Sequence, residues 1–327
     1  MPFKYSANRR RKSKQSSSKP KRDWSTYNAQ MKQRGDITIW LSDDVVNVWT
    51  LGDREYVGDG APRLYSDMAI TTVHEIRQVF RLPLRQCEGF VNALFKLLKV
   101  DLQCPSFSTL SKRLKTLGLK QPYYRFSQSH NAQPKMIAID SSGLKCYGQD
   151  EWVQEKYGET SEKRDWRKLH ISVDQNNIIQ MSQLTTRKVH DSSVVGELIK
   201  PIPHRVTQVT ADTAYDANPL YELFDQTFSN VDIVIPPRKN AKDHNDNHWM
   251  RNRNLREIQC YGRMRWQKDR DYGKRNQAEI AVGRYKRILG NRLHSREFTR
   301  QQQEALIGCS ILNKMTGITA APVRQKF

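Results

Sequence analysis

Between residues 69 and 117 apolar side chains recur in three sets: Ala69, Val73, Ile76, Phe80; Cys87, Val91, Leu94, Leu98; and Leu110, Leu114, Leu117. Steps of four and three residues keep one face of a helix apolar, so the spacing predicts three short helices that pack together. The third follows Pro105, has Ser106 and Ser108 as candidate N-caps, and stops at Gly118. Lys112, Arg113 and Lys115 then lie away from its leucines, which suits a recognition helix in a DNA major groove and equally suits a solvated face.

After Gln133 the period shortens. Lys135–Asp140, Trp166–Asp174 and Ile178–Thr186 are apolar or alternating runs, and Gln175, Asn176 and Asn177 form a turn between the last two. An antiparallel meander is expected. A helix over Asp191–Lys200, a strand over Val206–Ala211, a helix near Pro219–Gln226 and a strand over Val231–Ile235 follow. Strands joined by helical crossovers pair in parallel. The result is an α/β fold, a mixed sheet with helices on its faces. Pro236 and Pro237 end it, and a polar, basic stretch leads to two closing helices, about Tyr272–Leu289 and Thr299–Thr316.

Charge sharpens this picture. The 327 residues carry 55 Lys and Arg against 34 Asp and Glu, a formal +21. Residues 1–22 supply nine of these cations and no acid, and residues 238–287 supply fifteen against six. Clustering of this kind points to a polyanion, most commonly nucleic acid, and Arg238 and Lys239 open the second cluster. No apolar stretch reaches the roughly 20 residues of a membrane span, and the basic N-terminal tract lacks the apolar core of a secretory signal. The expectation is a cytoplasmic, nucleoid-associated protein with no membrane partner. Five dispersed cysteines without a C-x-x-C pair read as reduced packing residues.

Asp140 ends the first strand and Asp212 directly follows the fourth, so both carboxylates leave the same rim of the sheet. Neighbouring carboxylates repel unless a cation sits between them, and Mg²⁺ takes a few carboxylate oxygens while leaving room for phosphate. In the helix beyond, Tyr272, Arg275, Glu279 and Lys286 fall within an arc of about 60° at 100° per residue. Arg275 and Glu279 form an ordinary i, i+4 ion pair on an isolated helix. After a sheet that already carries two aspartates, Glu279 becomes the candidate third carboxylate.

These residues resemble bacterial insertion-sequence transposases of the insertion-sequence-five family, within the DDE superfamily. Tyr272-x2-Arg275-x3-Glu279-x6-Lys286 fits the family's Y-x2-R-x3-E-x6-K signature without gaps. IDSSGLKCYG (139–148), RDWRKLHISVD (164–174), TADTAYDA (210–217) and PPRKNAK (236–242) resemble its flanking blocks, with Thr213 where the family often has Gly. The resemblance implies a ribonuclease-H-like catalytic core. It also implies catalytic and metal-holding roles for Asp140, Asp212 and Glu279, with two Mg²⁺ ions that Mn²⁺ can replace, and DNA cleavage at element ends followed by strand transfer. Arg275 and Lys286 would hold phosphate and Tyr272 a nucleotide. Trp266 would stack on an unpaired base or fill the core. The partners implied are transposon-end DNA, target DNA and further copies of the chain, as a homodimer or larger synaptic complex.

The expected organisation is a basic disordered arm (1–23), a small helical DNA-binding domain (24–130), the ribonuclease-H-like domain (131–317) with a basic insertion at about 237–271, and a tail (318–327). Asp174 and Asp191 read as turn or N-cap acids, Asp216 as a helix N-terminal acid, and His170 and His190 as locally hydrogen-bonded. The His244-x3-His248 spacing lacks a Cys pair for zinc. Two rivals stand beside the transposase: a structure-selective nuclease on the same fold, and a transposase-derived DNA-binding protein without chemistry.

Overall fold

The computed structural model describes residues 23–51, 64–122, 134–146 and 166–320; all of the expected N-terminal arm but Asp23, and the end of the tail, lie outside them. The chain divides into two units, residues 1–36 with 318–327, and residues 37–317. In the first, helix α1 (Trp24–Gln33) starts at Asp23, whose carboxylate accepts the N–H groups of Ser25 and Thr26. Such a cap satisfies donors that the first helical turn leaves without partners.

The second unit opens with a 3-10 turn (Ile37–Ile39), followed by the short α2 (Asp43–Asn47) and the three helices that the periodicity predicts: α3 (Asp67–Val79), α4 (Leu84–Leu98) and α5 (Phe107–Thr116). Ser106 Oγ accepts the N–H of Thr109, and Gly118 adopts φ 64° just beyond the end of α5, the left-handed turn that glycine takes without strain.

Five strands follow: β1 (Met136–Lys145), β2 (Trp166–Asp174), β3 (Ile179–Thr186), β4 (Gln208–Thr210) and β5 (Asp232–Val234). Their order is β3-β2-β1-β4-β5, with β1, β2 and β3 antiparallel and β1, β4 and β5 parallel. Helix α6 (Val195–Ile199) precedes β4, and α7 (Asn218–Thr227) links β4 to β5.

The basic stretch is more regular than its composition indicates. It contains α8 (Trp249–Tyr261) and α9 (Arg263–Asp269). Tyr272–Arg275 form a 3-10 turn, and the α-helix α10 begins only at Asn276 and ends at Ile288. The single α-helical arc through Tyr272 is therefore corrected. Helix α11 (Phe298–Ala320) closes the chain, and among the described residues no helix is long and apolar enough to cross a membrane.

Alternation along β1 assigns the two sides of the sheet. Met136 and Ala138 join one core with α3, α4, α5, α10 and α11, while Ile137 and Ile139 join another with α6, α7 and Met250. Helices and sheet thus share the first core. Cys87, Cys104, Cys146 and Cys309 are buried as expected, whereas Cys260 is exposed and not the packing residue expected.

Candidate carboxylate site

The pairing of β1 with β4 runs Met136 to Gln208, Ile137 to Val209 and Ala138 to Thr210, a constant offset of 72 residues. Carried one pleat further, the same offset matches Asp140 to Asp212. Alternation turns both toward the side of Ala138 and Thr210, where α10 packs, because Ile139 and Ala211 belong to the opposite core. Asp140 is not at the end of its strand as expected. It stands mid-way along β1, which continues five residues beside β2, but it lies just past the last residue that β4 covers. That leaves its flank open on the Asp212 side.

Asp140 responds electrically to its surroundings. Burial pushes its carboxyl up to about 6 from an ordinary 3.8, and Asp212 and Glu279 push the same way; the Ser141 N–H, 2.9 Å from Oδ1, and the Arg275 guanidinium oppose them. All three carboxylates and Arg275 therefore share one neighbourhood. Asp212 itself caps the following turn, accepting the N–H of Ala214 at 2.9 Å. Thr213, next to it, has no positive φ and its hydroxyl accepts Arg263 Nη2 at 3.4 Å, so a side chain fits there without strain.

Glu279 is exposed and held by Arg275, which also sits 5.6 Å from the Tyr272 ring centre. The turn bearing Tyr272 and Arg275 is fastened to the sheet. Lys274 Nζ donates to Gln208 Oε1 at 2.9 Å, and Gln208 Nε2 donates to the carbonyl of Arg270 at 2.9 Å. As placed, no three His, Cys, Asp or Glu side chains among the described residues are close enough to hold a metal ion.

Trp266 does not offer its ring to a base. It is 1% exposed, its Nε1 donates to Asn254 Oδ1 at 3.4 Å, and it packs 5.5 Å from Tyr272. It supports Tyr272 from beneath. Arg113 is likewise drawn inward, donating to the carbonyl of Tyr65 at 3.0 Å and pairing with Asp67. On α5, Lys112 is exposed and Lys115 pairs with Glu297 at 2.5 Å. Lys286 is half-buried on α10, and Arg238 and Lys239 are exposed after β5.

Beside Asp140 lies a second set of groups, of which the sequence offered only Asp191, as a turn or N-cap acid, and His170, as a locally hydrogen-bonded side chain. Ser141 turns to the opposite side of β1, where its Oγ donates to Asp191 Oδ2 at 3.0 Å. Lys168 Nζ donates to Asp191 Oδ1 at 2.9 Å, and His170 Nδ1 lies 3.9 Å away. Burial pushes His170 down to about 4, so its ring is neutral near pH 7. The buried Tyr215 side chain reaches the same network, feeling Asp191, Asp140 and Asp212 with Ser141 beside its hydroxyl. His190 takes the N-cap position and Asp191 the first turn after it; only the β1–β2 register brings Ser141 and Lys168 toward Asp191.

Two family models, each described as a transposase DDE domain, match this chain at residues 32–149 and 131–314, the second covering more than half of its length. Among solved structures, it overlaps a piggyBac transposase synaptic complex with hairpin DNA at 10% identity and a TM-score of 0.40, covering 86% of this chain and 74% of that one. It also overlaps a pre-cleavage Mos1 transpososome at 12% identity and a TM-score of 0.22, covering 71% and 83%. Overlaps this loose carry no argument about site or partner.

Proposed function

Because the chain belongs to the transposase DDE domain family, we propose that it cleaves DNA at the ends of a mobile element and joins the freed 3′ ends to target DNA. The observation that carries this reading is Asp140, half-buried and raised to about 6 beside Asp212, Glu279 and Arg275. An acid whose ionisation is costly, with two further carboxylates in its neighbourhood, suits a divalent cation, and the donors are all oxygen, as Mg²⁺ or Mn²⁺ prefers. Asp140, Asp212 and Glu279 would hold two such ions, whose chemistry when bound is to stabilise the attacking and leaving oxygens of an in-line displacement.

The chain's own residues supply the rest. Arg275, released from Glu279, and Lys286 bind phosphate oxygens, and Tyr272, braced by Trp266, contacts the nucleotide. The exposed cations Lys112, Arg238 and Lys239 add backbone contacts that favour any DNA sequence. The strand order supports a ribonuclease-H-like core, with residues 24–130 as the DNA-binding portion. Joining two ends calls for a dimer or larger assembly.

The decisive experiment incubates purified protein and end-containing DNA with Mg²⁺. Asp140→Asn, Asp212→Asn and Glu279→Gln are each expected to abolish nicked and joined products while DNA binding persists. Cleavage retained in all three would overturn the site assignment. The reading as a DNA binder without chemistry draws on the Arg275 grip on Glu279; absence of metal-dependent cleavage in the wild type would favour it.

A further inference from the structure

His190, not Asp191, caps the turn that follows β3: its Nδ1 accepts the N–H of Ser192 at 3.3 Å. The Asp191 carboxylate is thereby left to partners from elsewhere. Its Oδ2 accepts Ser141 Oγ from β1, and its Oδ1 accepts Lys168 Nζ from β2. Lys168 Nζ also donates to the carbonyl of Val189 at 2.9 Å, which ties the same ammonium to the segment leaving β3. One carboxylate therefore joins β1, β2 and the chain after β3.

The junction falls where the sheet stops restraining Asp140 from both sides. Pairing of β1 with β4 ends at Ala138 and Thr210, while pairing with β2 continues through Ser141 opposite His170 and Gly143 opposite Lys168. From Asp140 to Leu144, strand pairing among the described residues holds β1 on one flank alone. Ser141 matters to its neighbour because its backbone N–H donates to Asp140 Oδ1 at 2.9 Å. That bond fixes the plane of the carboxyl group, and with it the direction in which Oδ2 offers its lone pairs. Its geometry lasts only while the Ser141 peptide stays in place, and the hydroxyl of the same residue is pinned to Asp191 on the other face of the sheet. Burial opposes ionisation of Asp191, yet hydrogen bonds from Lys168 and Ser141, with the Lys168 charge, hold its carboxyl below the usual value. A hydrogen bond to an ionised acceptor is roughly twice as strong as a neutral one.

We propose that Asp191, held by Lys168, is a positioning residue that sets the Asp140 carboxylate for a divalent cation by fixing Ser141. The cation rests on the transposase reading, in which Asp140 holds a metal; the link from Lys168 through Asp191 to Ser141 does not. Groups that orient a ligating carboxylate through hydrogen bonds typically cost about 10–100-fold in metal affinity when removed.

The test measures Mn²⁺ affinity of the full chain by calorimetric titration, with thermal unfolding in chelator alongside. Asp140→Asn defines the part of the binding that needs Asp140. Ser141→Ala and Asp191→Ala should each weaken that part by about 10-fold or more. Because both act through one link, the double variant should bind no more weakly than the weaker single variant. Ser141→Thr keeps the hydroxyl and should stay close to the wild type. Ser172→Ala is the control: Ser172 Oγ donates to the carbonyl of Leu198 at 2.9 Å on the same face of the sheet, so its loss should lower the unfolding midpoint and leave Mn²⁺ affinity unchanged. Should Asp191→Ala melt below the titration temperature, Ser141→Ala against Ser141→Thr carries the comparison. Unchanged affinity in Ser141→Ala or in a folded Asp191→Ala, losses that multiply in the double variant, or an equal loss in Ser172→Ala overturns the positioning role and leaves Asp140 a metal ligand. A wild-type affinity equal to that of Asp140→Asn removes the metal reading itself, and the positioning role with it.

Discussion

Arg251 closes a two-pronged hydrogen bond on Asp216, Nε to Oδ1 at 2.8 Å and Nη2 to Oδ2 at 3.1 Å, and Oδ2 also accepts the backbone N–H of Arg238 at 3.0 Å. The Asp216 side chain is fully buried, so it is an anchor between the loop after Asp212 and the basic insertion rather than a helix N-terminal acid. Removing one partner of a buried pair leaves a charge without compensation. Arg251→Met should cost about 3–5 kcal/mol in urea unfolding, and Arg251→Lys less, since it keeps the charge but not the fork. A cost below about 1 kcal/mol for Arg251→Met would assign the fastening to other contacts.

Asp140 makes stability depend on pH. Its folded value of about 6 lies above the ordinary 3.8, so ionising it costs more in the folded state than in the unfolded one. The penalty is absent below the unfolded value, grows between about 4 and 6, and persists above. At about 1.36 kcal/mol per pH unit, Asp140→Asn should raise stability by up to about 3 kcal/mol near pH 8 in chelator, and by nothing near pH 3. Mg²⁺ should then stabilise the wild type but not the variant. Equal unfolding midpoints at both pH values would contradict the burial argument.

Glu75 on α3 and Lys314 on α11 form a buried pair, with Lys314 5.6 Å from the Trp40 ring centre. Burial raises the Glu75 carboxyl and Lys314 opposes that rise. Lys314→Met should therefore destabilise by about 3–5 kcal/mol near pH 8 and less in acid, where Glu75 takes up a proton in the variant. Adding Glu75→Gln should recover most of the loss near pH 8. A double variant no more stable than the single one would point to lost packing instead.

A Cβ built on Gly308 would fall 2.7 Å from Tyr285 Cε2 and 2.8 Å from its hydroxyl. Tyr285 is itself buried and has little room to retreat. Gly→Ala gains about 1 kcal/mol of helix propensity, but overpacking typically costs about 1–3 kcal/mol. Gly308→Ala should thus lower the thermal midpoint, and a rise would show that Tyr285 yields easily.

The legible parts of this fold were those with a period. The apolar steps of α3, α4 and α5 and the alternation in β2 and β3 are local, and the spacing of Tyr272, Arg275, Glu279 and Lys286 is carried by nearby residues. β1 read as ending at Asp140 because Ser141, Ser142 and Gly143 interrupt the apolar run. Backbone pairing to Ile171, His170, Leu169 and Lys168 extends it regardless. Helices α8 and α9 bury few side chains, so their polar sequence showed no stripe. The inward turn of Arg113, the burial of Trp266 and the Ser141–Asp191–Lys168 network all depend on partners distant in sequence.

The 72-residue offset between β1 and β4 works as a mechanical ruler. Whatever joins the two strands can lengthen or shorten without moving the carboxylates, since backbone pairing alone fixes where each emerges. Sliding either strand by one residue would instead send its aspartate to the reverse surface of the sheet, replaced by Ile139 or Ser141 from β1, or by Ala211 or Thr213 after β4. A single codon lost between Ala138 and Asp140 should therefore silence the molecule more thoroughly than many residues lost from the connection.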